Sequence, residues 1–281
     1  MTVSIEHPLR PEHVPGCLAL SRAASWNQNE ADWRLMLAIG RGWGLSLADG
    51  TLIATTLVLP YGAFAWISMV LVHPAHRRQG HAGRLLRIAI DDLHRSRLTP
   101  VLDATPAGRA VYRVAGFRDT WTFKRFFCPP DKGGGAKRRG VLTGETLPMP
   151  DFDGELAALD REAFGADRTM VLRALQTRLP QCALALDAKG FVLGRDGREA
   201  QQLGPLVARD AQTARLLLEQ ALRVASAPLY IDVVDHAPQL QQWLQSLGFV
   251  LQRPFTRMVH GAARAPGNEK LVYLVAGPEL G

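Results

Sequence analysis

The apolar and polar positions divide the chain into two stretches that follow the same order. Over 11–38 apolar residues recur at helical spacing, with a break near Ser25, Trp26 and Asn27, so two helices are predicted. Strand-like runs follow at 43–48, 51–59 and 64–72, and Asp49-Gly50 marks a hairpin turn. Ala82, Leu85, Leu86, Ala89 and Leu93 return to helical spacing. A buried strand at 101–104, a helix at 109–114 and a strand at 117–127 close the first stretch.

From residue 151 the order repeats, with helices to 179, strands at 182–187, 191–195 and 200–208, and a helix at 211–225. A strand at 229–234, a helix at 238–247 and strands at 249–259 and 271–276 complete it. The repeat also shows in letters. Gly116-Phe117 precedes Phe123-Lys124-Arg125-Phe126 at the same offset as Gly248-Phe249 precedes Phe255-Thr256-Arg257-Met258. LALSRAASWNQNEADWRLML and LAALDREAFGADRTMVLRAL read as versions of one helical pair. A duplicated α/β unit is expected. The segment PPDKGGGAKRRGVLTGETLPMP is rich in glycine, proline and charge, which sets domains at 1–128 and 151–281 with a linker at 129–150.

Composition adds bounds. With 281 residues, 47% hydrophobic and 21% charged, the chain suits two modest globular domains. Its longest apolar runs fall well short of the roughly 20 residues a bilayer-spanning helix needs. The N-terminus lacks a basic segment followed by an apolar run, so no secretory signal and no membrane partner are expected, and a cytoplasmic location follows. Cys17, Cys128 and Cys182 are odd in number and far apart, which fits reduced thiols and no metal pair. A net charge of +7 permits a nucleic acid, a membrane surface or an anionic cofactor without choosing among them.

The choice comes from HPAHRRQGHAGR, between the strand ending at Val70-Leu71-Val72 and the helix established by Leu85. A loop at such a junction presents successive amide N–H groups at the positive end of a helix dipole. Gly80 and Gly83 admit close approach of an anion, Ala82 adds little bulk, and Arg77, Arg78 and Arg84 add charge. On these grounds it is either a phosphate-binding loop or a basic helix cap. Neither the GxxxxGK[ST] nor the GxGxxG pattern is present.

Arg77-x-x-Gly80-x-Ala82 resembles the Q/R-x-x-G-x-G/A signature of the GNAT acetyltransferase superfamily, and Tyr112-Arg113-Val114-Ala115-Gly116-Phe117 resembles its Y-x-x-x-G-F element. The second half looks like another unit of that family by its outline. The resemblance implies an α/β (α+β) fold of two units, each a mixed, largely antiparallel sheet flanked by helices. It implies that Val70, Leu71 and Val72 pair with the pantetheine arm of acetyl-coenzyme A. Loop residues Arg77, Arg78, Gln79, Gly80, His81, Ala82 and Gly83 would hold its pyrophosphate, and Thr105 stands where the family often has an asparagine. The implied reaction is direct transfer of acetyl to an amine acceptor, with a small molecule favoured over a protein. Tyr112 would be the proton donor to the leaving thiolate, or else a tyrosine packed in the core.

An amide near Leu71 on a splayed fourth strand is the expected oxyanion donor. That strand carries no carboxylate, so the base is sought in water, Glu30 or Asp32. The resemblance also implies that Trp26, Asn27 and Gln28 line the acceptor pocket; Trp26 and Trp33 suit either an acceptor or the core. Asp232, Asp235 and His236, clustered after a buried strand, are further candidates to meet a cationic amine across the domain interface. His73, His76 and His81 are expected to be solvated or to cap, and no metal is expected. In the second half the strand LGPLVA passes through Arg209-Asp210 almost directly into a helix, so this half is expected not to bind coenzyme A in the usual manner. A catalytically inactive coenzyme A sensor is the competing reading; nucleic acid is not an expected partner, and a homodimer is left open.

Overall fold

The computed structural model describes residues 4–130, 147–148, 152 and 154–281. Most of the linker expected over 129–150 lies outside these residues. The chain forms two compact units: the first comprises residues 1–120, 257–265 and 280, and the second 121–256, 266–279 and 281.

In the first unit, strands β1 (Ile5–Pro8), β2 (Arg41–Ser46), β3 (Leu52–Tyr61) and β4 (Phe64–Val72) are antiparallel neighbours in that order. β5 (Thr99–Ala104) follows, parallel to β4. Then come residues 257–260 of β12 (Val250–His260) and residues 117–120 of β6 (Phe117–Cys128). Helices α1 (Val14–Ala23), α2 (Glu30–Ile39), α3 (His81–Arg95) and α4 (Pro106–Val114) complete the unit. The predicted helices and strands are present, and β1 is an addition. Its four residues are mostly exposed, so no apolar alternation announces them.

α3 forms where its apolar stripe predicts. Leu86, Ala89, Ile90 and Leu93 bury against Ala65 and Ile67 of β4 and Leu102 and Ala104 of β5. Removal of such side chains from water contributes about 25 cal/mol per Å² of apolar area. The packing fixes the start of α3 beside the end of β4, as the site requires.

In the second unit, α5 (Gly154–Phe164) and α6 (Thr169–Arg178) precede β8 (Leu184–Leu186), β9 (Gly190–Arg195) and β10 (Gln201–Ala208). α7 (Ala211–Val224), β11 (Leu229–Val234), α8 (Pro238–Ser246) and β13 (Val272–Leu274) follow. β8 pairs on one side with β7 (Leu147–Pro148) and on the other with β9, and β9 pairs with β10, all antiparallel. β11 is antiparallel to residues 123–128 of β6. Both units are therefore mixed α/β with largely antiparallel sheets, as expected.

Candidate active site

The first unit presents the loop predicted from its glycines. Gly80 is the N-cap of α3 with φ +82°, and Arg78 also has positive φ, +60°. A side chain at 80 is therefore strained, and glycine removes that cost. A Cβ added at Gly80 or at Gly83 would meet nothing within 4 Å, so both glycines face open space. The first turn-closing bond of α3 runs from Arg84 N–H to the Gly80 carbonyl, 3.0 Å. Helix geometry leaves the N–H groups ahead of it outside the helix's own ladder. This dipole end, with Arg77, Arg78 and Gln79 exposed beside it, suits an anion. Arg84 is drawn toward Glu6 at 3.0 Å, and Arg77 Nε donates to the Val72 carbonyl at 3.2 Å.

Beside the loop, β4 opens. Opposite β3, Leu71 registers with Thr55 and Ser68 with Leu57, so β4 carries one extra residue, a bulge. Met69 sits in it with φ +51°, and the Thr55 hydroxyl donates to its carbonyl at 2.8 Å. On the other side, β4 registers with β5 over Phe64–Trp66 against Thr99–Val101. From Ile67 to Val72 it has no registered partner there among the described residues. The bulge thus lies where the two strands part, and Val70, Leu71 and Val72 border the groove.

α4 carries Tyr112. Thr105 is its N-cap, its hydroxyl oxygen accepting from Gly108 N–H at 3.2 Å, which leaves the hydroxyl proton to donate. A Cβ at Gly108 would fall 2.9 Å from Tyr112 Cε2, so glycine lets the ring lie flat along the helix. Sequence reading missed this role; the signal was a glycine four residues before the tyrosine, on the same helix face. The Tyr112 ring packs on the apolar cluster under α3, and burial pushes its hydroxyl up to about 12. Its hydroxyl is therefore neutral at every physiological pH.

The remaining predicted residues scatter. Asn27 and Gln28 are almost wholly buried in the bend between α1 and α2, and Gln28 Oε1 has no partner among the described residues. Trp26 is half-buried in the same bend. Trp33 belongs to the core, its Nε1 donating to Ser21 Oγ at 3.0 Å. Asp32 closes a capping box on α2, accepting from Asn29 N–H at 2.9 Å, while Glu30 is exposed and pairs with Arg34. His73 caps, its Nδ1 accepting from Ala75 N–H. His81 departs from expectation: it is buried, its Nε2 lacks a partner among the described residues, and burial lowers its pKa, with His76 and Arg84 adding to the effect.

Asp232 and Asp235 need correction as amine-binding groups. Asp232 is fully buried in the second unit, held by Arg125 through two bonds of 2.7 Å and by Gln202 Nε2 at 3.0 Å. Asp235 is taken by Lys124 at 2.5 Å, by Gln241 at 2.9 Å and by the Thr122 hydroxyl. His236 faces backbone, its Nε2 lying 2.8 and 2.9 Å from the Glu269 and Val272 carbonyls. A buried carboxylate already paired gains nothing by exchanging its guanidinium for an amine.

The same positions in the second unit are built differently. β10 carries the equivalent bulge, Leu206 registering with Val192 and Leu203 with Gly194. Its groove is filled by β13: Leu274 registers with Leu206 on β10 and with Val233 on β11, and Val272 with Val207. A side chain at Gly204, φ +141°, would collide with the Val275 carbonyl oxygen. The N-terminus of α7 is capped by its own anion, Asp210, which accepts from Thr213 N–H at 2.7 Å. Counting back from Gly248 as Tyr112 is counted from Gly116, the residue in place of the tyrosine is Leu244, fully buried.

Comparison with known proteins follows this division. Residues 16–117 match a family described as Acetyltransferase (GNAT) family, and residues 156–274 one described as Acetyltransferase (GNAT) domain. The uncharacterised N-acetyltransferase YitH of Bacillus subtilis (strain 168) is 26% identical over 247 residues, 86% of each chain. Among solved structures, a candidate acetyltransferase from Pyrococcus horikoshii aligns with TM-score 0.82 at 19% identity, covering 99% of this chain and 96% of its own. A tandem GNAT protein from the clavulanic acid biosynthesis pathway aligns with TM-score 0.65 at 16% identity, covering 93% and 100%. Among the described residues no helix is long and apolar enough to cross a membrane, and no group of His, Cys, Asp or Glu is placed to hold a metal.

Proposed function

Since the chain belongs to the GNAT acetyltransferase family, with one domain of it in each half, we propose that the first half alone binds acetyl-coenzyme A and passes its acetyl group to the amine of a small molecule. The observation that carries this is the open N-terminus of α3, with Gly80 and Gly83 facing free space beside the parted strands. The amides of residues 78–83 would hold the diphosphate, and Val70, Leu71 and Val72 would pair with the pantetheine arm, with the Thr105 hydroxyl as an added donor. The loop's N–H groups and arginines supply the charge that the anionic cofactor needs.

The neutral amine attacks the thioester carbonyl directly. The carbonyl oxygen gains negative charge, and an amide beyond the Met69 bulge, near Leu71, donates to it. As the tetrahedral intermediate collapses the C–S bond breaks, and Tyr112, neutral because burial raises it to about 12, donates to the leaving thiolate. β4 carries no carboxylate, and Asp32 is committed to its helix cap, so the nitrogen's proton leaves through water. Trp26, Asn27 and Gln28 form the acceptor side. Gln28 Oε1, buried without a partner among the described residues, is an acceptor for an amine N–H.

The test is to incubate the purified chain with acetyl-coenzyme A and a panel of small amines while following thiol release. Acceptor-dependent release that Tyr112→Phe suppresses is the expected result. Tight cofactor binding without release for any amine, unaffected by Tyr112→Phe, would move the chain to the sensor reading. One acetyl-coenzyme A per chain, in the cytoplasm, completes the proposal.

A further inference from the structure

We propose that His260 is a positioning residue for the reaction, supplied by β12 to the first unit, which holds the end of α4 and so keeps Tyr112 at the groove. The inference rests on the reading of Tyr112 given above. α4 is short and has no fully buried residue; Val111 and Val114 on it are exposed. A helix of this length does not hold its place unaided, so its ends must be fixed. Thr105 caps the start. Arg109 and Arg113 reach Asp119 along the flank, but both guanidiniums are well exposed, and such pairs are weak anchors.

The other end is closed by His260. Its Nδ1 lies 3.3 Å from Nε2 of His94 on α3, and its ring also hydrogen-bonds backbone at Ala115, where α4 ends. It meets Phe117 edge-on at 5.3 Å between ring centres, and Phe117 lies 6.1 Å from the Tyr112 ring. The turn between them is fitted to the imidazole: Gly116 has φ +92°, and a Cβ there would fall 3.0 Å from His260 Nε2. Burial above all, and then the charge of His94, lower the His260 pKa, which favours the neutral ring. A neutral imidazole accepts through one nitrogen and donates through the other, which matches His94 on one side and the Ala115 carbonyl on the other.

The duplication supplies a control. By the offset that equates Arg257 with Arg125, His260 corresponds to Cys128. The histidine occurs in the half whose helix carries Tyr112, and is missing from the half whose helix carries Leu244.

The experiment measures kcat, KM for acetyl-coenzyme A and hydrogen exchange of peptides from α3 and α4 in the full chain bearing His260→Leu or His260→Gln. In His260→Leu, kcat is expected to fall about tenfold with KM changed less than about twofold, and α4 to exchange faster while α3 does not. His260→Gln, whose carboxamide keeps a donor and an acceptor, should recover to within about threefold of the parent. Parental kcat in His260→Leu, where Tyr112→Phe is impaired, overturns the proposal. Should Tyr112→Phe retain full activity, the reading of Tyr112 fails by itself, and unchanged α4 exchange in His260→Leu then overturns the anchoring as well. If His260→Leu does not fold, His94→Leu on the surface carries the same comparison, with an expected loss of about threefold.

Discussion

The two halves share a bulged strand, a splay and a buried arginine–aspartate pair, yet only one leaves its groove open. Arg257 grips Asp103 with two bonds of 2.9 Å and lies over the Trp66 ring, while Arg125 grips Asp232 and lies over Tyr230 and Phe255. A feature present in both halves belongs to the architecture and does not distinguish a working site. What differs is chemical: an open helix terminus against one capped by Asp210, Tyr112 against Leu244, and a strand edge with no registered partner among the described residues against one paired to β13. The second half has the fold of its family, and each of these places in it is taken by a piece of its own chain.

The largest expected effect concerns what the halves share. Arg257→Ala and Arg125→Ala each take the guanidinium from a buried carboxylate, and each is expected to cost about 3–5 kcal/mol of stability. Denaturant unfolding checks this; a loss at one position and none at the other would break the equivalence of the pairs.

The next effects should fall on the first half alone. Gly83→Asp points an anion into the open space above α3 without requiring positive φ, and a drop in acetyl-coenzyme A affinity of about 100-fold or more is expected by calorimetry, with the fold unchanged. Tyr112→Phe should lower kcat about 100-fold with little change in KM. Because the Tyr112 proton is held up to about 12, raising the pH toward 10 should not produce a falling limb in kcat from this group; a limb that disappears in Tyr112→Phe would show its hydroxyl ionising earlier. The smallest effect sharpens the contrast from the other side. Asp210→Ala removes a helix cap worth about 1 kcal/mol, and should leave cofactor affinity untouched.

Much of the first half was legible because its signals are local. The helical stripe of α3, the glycines at 80 and 83 and the spacing from Tyr112 to Gly116 lie within short windows, where periodicity and backbone freedom speak directly. The missing loop before α7 was equally plain, since only Arg209 and Asp210 separate strand from helix. The bulge at Met69 was not, because nothing in a methionine announces positive φ. Asp232 read as a free carboxylate because its partner, Arg125, lies 107 residues away. The run 271–276, read as a strand, holds one only at Val272–Leu274, and its place in the groove depends on register with β10 and β11, which no local pattern specifies. β1 escaped notice for want of a buried face.

The asymmetry is tested most directly by titrating acetyl-coenzyme A into the full chain calorimetrically, for the parent and for Gly83→Asp. One site per chain, weakened about 100-fold or more by Gly83→Asp and retained in Asp210→Ala, is the predicted result. Two sites per chain, or a single site whose affinity Gly83→Asp leaves unchanged, would contradict the account.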